Sequence, residues 1–72
     1  MMTYHTFTTV VGYTSEGRIK SYSLSGRWKP EAIERHARRA GLVGKVAASH
    51  NTGDLSGRGR GGTDREFEIV IN

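Results

Sequence analysis

The sequence predicts a small α+β fold in which two strands, one helix and two further strands follow in order. Three observations carry that prediction. Apolar and polar residues alternate with a period of two near both ends of the chain, one short stretch behind Pro30 carries helical spacing, and glycine-containing breaks separate the segments. One helix packed on a mostly antiparallel or mixed sheet is the expected architecture. The 72 residues allow one domain, spanning 1–72.

From Tyr4 to Tyr13, β-branched and aromatic residues dominate, with His5, Phe7, Thr9, Val11 and Tyr13 on one face and Tyr4, Thr6, Thr8 and Val10 on the other. This is strand chemistry. Thr14-Ser15-Glu16-Gly17 supplies a turn, and alternation resumes from Arg18 to Leu24, so the first two strands form a hairpin. Ser25-Gly26 ends the second strand. Pro30 suits the first turn of a helix, where its missing N–H costs nothing. Ile33, Ala37 and Ala40 then fall on one narrow stripe, and Gly41 suits the residue just past the helix, which places the helix at about residues 30–40.

Leu42 to Ala48 reads as a third strand, lightly filled by Gly44 and its alanines. Arg65 to Ile71 sets Phe67, Ile69 and Ile71 against Glu66, Glu68 and Val70, a half-buried alternation expected inside the sheet. Between them, Asn51 to Asp64 holds five glycines in 14 residues and no apolar period, and reads as a long Gly/Arg-rich loop. In length and element order the chain resembles the β-grasp, or ubiquitin-like, architecture, which implies a last strand paired beside the first. The diglycine tail of ubiquitin-like modifiers is absent, since the chain ends Glu68-Ile69-Val70-Ile71-Asn72. A plain ββαββ layer of antiparallel sheet against one helix is the nearest competitor.

Composition excludes several chemistries. With no cysteine there is neither disulfide nor thiolate metal site, and no histidine or carboxylate cluster has ligand spacing, so no metal or cofactor is expected. Met1 to Ser15 lacks the basic start of a signal peptide, and no segment approaches the ~20 apolar residues that span a bilayer. A cytoplasmic protein without membrane association is the expectation.

Gly57-Arg58-Gly59-Arg60-Gly61-Gly62 matches the spacing of a dinucleotide fingerprint, but that motif needs a helix behind it and a strand follows here. The same residues read better as two guanidinium forks on a backbone able to approach phosphate, or as a solvated loop. Eleven Lys+Arg against seven Asp+Glu give a net charge of +4. The excess lies in residues 16–45, where eight cations face three glutamates. Glu31–Arg35 and Glu34–Arg38 have i,i+4 spacing and neutralise part of that field.

Two functional readings follow. The first is a nucleic-acid-binding module that grips DNA or RNA phosphates without sequence readout, through Arg27, Lys29, Arg39, Lys45, Arg58 and Arg60, with Trp28 either a stacking surface or cover for the helix start. The alternative is a protein-interaction module, a regulator, an inhibitor or a homodimer, using Tyr4, Val10, Tyr13 and Tyr22. The chain does not read as an enzyme. Of its three histidines, His50, at the mouth of the glycine-rich segment with Lys45 or Arg58 nearby, is the one placed for nuclease-like acid–base chemistry.

Overall fold

The computed structural model describes residues 4–54 and 62–71. The element order is β1 (Tyr4–Thr14), β2 (Ile19–Ser25), α1 (Pro30–Arg39), β3 (Leu42–Asp54) and β4 (Gly62–Ile71). All four strands form one antiparallel sheet in the order β2-β1-β3-β4. The α+β class and the ββαββ order are therefore as expected. The strand pairing of the β-grasp architecture is not found: β3 lies beside β1, and β4 occupies an edge.

The reason lies in the lengths of the last two strands. Sequence alternation spans Leu42 to Ala48 and Arg65 to Ile71, but β3 and β4 continue to Asp54 and back from Gly62. Thr52 pairs with Gly62 and Asn51 with Thr63. Strands that continue so far towards one another form a hairpin, and hairpin strands are sheet neighbours. The alternation of β4 thus reflects a single covered face at an edge, where Ile69 and Ile71 turn inward. Asp64, Arg65, Glu66 and Glu68 charge the strand, the usual protection of an exposed edge against pairing with other chains.

No apolar pattern marks the extension because polar side chains hold it. The Asn51 amide donates to the Thr9 hydroxyl at 3.1 Å, Thr63 donates to the Asn51 carbonyl oxygen at 3.0 Å, and Thr52 donates to the Asp64 carboxylate at 2.8 Å.

Helix α1 starts at Pro30 and ends where the Ala40 and Gly41 N–H groups bond the carbonyls of His36 and Arg38. Its Ile33 and Ala37 are wholly buried, resting with Val10, Leu42, Val46, Ala48, Ile69 and Ile71 on one face of the sheet. Ala40 of the predicted stripe is only half-buried, at the helix end. Strands lie ~4.8 Å apart and a helix is ~10 Å across, so one helix covers about two strands. Here it covers β3 and β4. Tyr22, Leu24 and Trp28 close the remaining part of that face, packed against the core.

Two glycines fit the sheet to this layer. Gly44 has φ +74° where three residues of β3 bulge opposite Gly12 alone, a backbone conformation that side chains resist. A Cβ at Gly12 would lie 3.0 Å from Val46 Cγ2 and 3.1 Å from Leu42 Cδ1, so those side chains would have to give by a few tenths of an ångström.

Thr8 is the one buried polar residue among those described, fully enclosed within this layer. Its hydroxyl donates to the Gly26 carbonyl at 2.8 Å and accepts the Trp28 N–H at 3.0 Å, fastening the β2–α1 connection to β1. Thr8→Val keeps the shape and strands both partners, so it is expected to lower stability by about 2–4 kcal/mol. Urea denaturation checks this: a midpoint as high as the parent's refutes the assignment, and Thr8→Ser should recover most of the loss.

Candidate nucleic-acid interface

The two faces of the sheet differ in charge. Cross-strand partners share a face, so Val10, Ala48 and Ile69 fix the helix side, while Thr9, Ser23, Ser49 and Glu66 lie on the open side. The open face is built of small and hydroxyl side chains, Ser21, Ser23, Val11, Ala47 and Ser49 among them. Its described charges are Lys45, Glu66 and Glu68. The helix side collects Lys20, Arg27, Lys29, Arg35, Arg38, Arg39 and Arg65 against Glu31, Glu34 and Asp64. The positive field is one-sided.

At a hundred degrees per residue, Arg35 stands at the solvent apex of α1, diametrically away from Ile33 and Ala37. Arg39, Ala32 and His36 turn to one flank, and Glu31, Glu34 and Arg38 to the other. On the first flank, Trp28, Ala32, Arg35, His36 and Arg39 line a cleft of about 190 Å³. On the second, Arg38 pairs with Glu34 at 3.6 Å. The companion pair expected from spacing, Glu31–Arg35, is not formed among the described residues, which leaves the Arg35 guanidinium to the cleft.

Trp28 is held from every side. Its indole N–H donates to the Ser25 carbonyl at 2.9 Å, its ring meets His36 edge-on at 5.5 Å between centroids, and its own carbonyl accepts from His50 Nε2 at 2.8 Å. His36 Nδ1 in turn shares a hydrogen bond with the Tyr22 hydroxyl at 3.1 Å. The indole is half-buried, so it covers the helix start and still forms a wall of the cleft.

The other sequence-predicted residues divide. Lys29 is exposed at the helix N-cap, and Arg39 lies at the cleft. Arg27 is also on the helix side but is ion-paired, its guanidinium 2.6 Å from Asp64. Lys45 stands apart: strand alternation places it on the open face because Val46 beside it is buried under the helix. Arg58 and Arg60 lie outside the described residues. Four helix-side cations lie outside the sequence-predicted set: Lys20, bonded to the Ala40 carbonyl, Arg38, paired with Glu34, Arg35, whose spacing to Glu31 implies neutralisation, and Arg65, 5.4 Å from the Phe67 ring centroid and without a local sequence signal.

Of the interaction candidates, Tyr4 and Tyr13 are exposed, whereas Val10 is fully buried on the helix side of the sheet and has no surface to offer. Tyr22 is half-buried on the helix side. Exposed apolar side chains gather instead at one corner of the open face, where Tyr13 pairs with Ile19 and Val43, with Val11 and Val70 nearby. His50, the candidate for acid–base chemistry, is half-buried, edge-on to Phe67 at 5.0 Å, and spends Nε2 on the Trp28 carbonyl. Among the described residues no helix is long and apolar enough to cross a membrane.

Compared with known proteins, the chain matches no family model, no curated protein and no solved structure.

Burial raises the Tyr22 phenol above its ordinary 10.0, because the phenolate loses solvation there. The folded state then holds that proton more tightly than the unfolded one, so stability is complete below about pH 10 and falls as pH rises through the folded value. Tyr22→Phe removes this contribution. Urea midpoints at about pH 9 and 11 should drop further for the parent than for Tyr22→Phe, and equal drops would contradict the burial effect.

Proposed function

We propose that the protein is a small nucleic-acid-binding module that uses its helix face to hold phosphates, without base-specific readout. The observation that carries this reading is the segregation of charge. Arg35 and Arg39 border an aromatic-walled cleft with Lys29 at the helix start, while the acidic Glu66 and Glu68 lie on the opposite face. Guanidinium groups suit phosphate because their planar fork donates two hydrogen bonds at once. Arg27 supports the patch only in part, since Asp64 already engages it. Lys45 takes no part in this reading.

Fluorescence anisotropy of labelled DNA and RNA at about 50 and 200 mM salt tests the reading through counterion release. Micromolar binding that weakens with salt is expected. Arg35→Gln/Arg39→Gln should weaken it ~10-fold and make the salt slope shallower by about 1.5, whereas Lys45→Gln should change neither. Absence of binding at the lower salt, or parent-like binding by the double variant, overturns the reading.

The apolar corner of the open face favours a second reading, association of two copies of this chain. Tyr13, Ile19, Val43 and Val70 are each about half exposed or more, with Lys45 and Glu68 beside the same corner. A two-fold axis passing between those charges sets each copy's lysine toward the other's glutamate. Sedimentation should then show a dimer that Tyr13→Glu dissociates; a monomer at all concentrations rejects this second reading.

A further inference from the structure

We infer that the Trp28 cleft seats an unstacked nucleobase, which makes single-stranded nucleic acid the preferred ligand over duplex. This inference rests on the nucleic-acid reading above and adds the strandedness of the ligand and the group that recognises it.

The geometry of the cleft carries the argument. Its volume of about 190 Å³ corresponds to roughly six liquid waters at ~30 Å³ each, room for one planar ring system. Trp28, Ala32 and His36 line it, and with them two arginines one helical turn apart, Arg35 and Arg39. Apolar and cationic lining together match one nucleotide, whose base stacks while its phosphate meets the arginines. A bare phosphate site has no use for the indole, and an apolar ligand has none for the arginines.

The indole is also pre-set. Ser25 holds its ring nitrogen, Thr8 and His50 hold its backbone, and His36 packs against its ring. A ring already fixed loses little freedom when a base stacks on it.

Charge on the helix explains the strandedness. The flank facing away from Trp28 carries Glu31 and Glu34, with Arg38 committed to Glu34. A duplex laid on the helix presents two phosphate backbones, of which one meets those carboxylates. A single strand along the Arg35–Arg39 flank avoids them and can turn a base inward, as stacked and paired bases cannot.

Trp28 is the only tryptophan, so its fluorescence reports on the cleft directly. The full chain is titrated at low salt with a thymidine 12-mer, a uridine 12-mer, a duplex of equal length and an abasic 12-mer. Expected are quenching of Trp28 by the two base-bearing single strands, none by the abasic strand, and at least ~10-fold weaker anisotropy binding of the duplex. Ala32→Leu fills the cleft and leaves every charge and the indole in place. It should abolish quenching and weaken single-strand binding to the level of the abasic strand, with circular dichroism confirming the fold. Quenching by only one of the two base-bearing strands supports the cleft and assigns it to DNA or RNA. Binding of all four ligands with equal affinity and no quenching overturns this inference while the phosphate reading stands. If none of them binds, both fall.

Discussion

The Thr8 hydroxyl joins the two halves of this molecule. The sheet is continuous hydrogen-bonded backbone, and the helix enters over it through the Gly26–Lys29 connection, which lies outside the strand pairing. Thr8 fastens that connection from inside the core by accepting the Trp28 N–H and donating to the Gly26 carbonyl, while the Gly26 N–H reaches the Thr6 carbonyl at 2.9 Å. With Trp28 pinned, Pro30 begins the helix at a fixed point. Ile33 and Ala37 then arrive over β3 and β4. A buried hydroxyl is costly unless both its roles are used, and here both are.

The same pin sets the candidate site. Ser25 of β2 holds the indole N–H, His50 reaches Trp28 from β3 and His36 meets it from the helix, so three elements agree on where Trp28 stands. The cleft exists because the helix is narrower than the sheet: it covers two strands, and the aromatic side chain that fills the remainder leaves a groove along the helix flank. A thin core and a surface cleft are thus one consequence of the ten-residue helix. His50, the one histidine whose place in the sequence suits acid–base chemistry, is bound up in this scaffolding together with His36.

What was legible in the sequence follows the range of the interactions. The hairpin, the helix and their breaks were readable because alternation, Pro30 and Gly41 act within a few residues. The far ends of β3 and β4 were not, since Asn51 is held by Thr9, 42 residues away, and by Thr63, 12 residues on near the other end of the glycine-rich segment. The place of β4 at the edge followed from that same hidden pairing. At the site, Trp28, Lys29 and Arg39 were found because they flank or end the helix. Arg27 was found but its engagement by Asp64, 37 residues on, was not. The Glu31–Arg35 spacing permits an ion pair without requiring one, and Lys45, near the helix in sequence, stands on the other face by the alternation that buries Val46.

The polar ladder that extends β3 and β4 gives the molecule a gradient of persistence. From Leu42 to Ala48 the strands lie against buried aliphatic side chains, whereas from Asn51 onward they are joined by hydroxyl, amide and carboxylate contacts near solvent. Water competes for such contacts and not for the aliphatic ones, so opening that end costs far less than unfolding the rest. Backbone pairing to β1 and β4 continues as far as Asp54 and Gly62, so this end stays part of the sheet while being the less firmly held part of it. A ligand that touched both parts would tie the weaker to the stronger and slow amide exchange at residues 51–54 toward that of the aliphatic part.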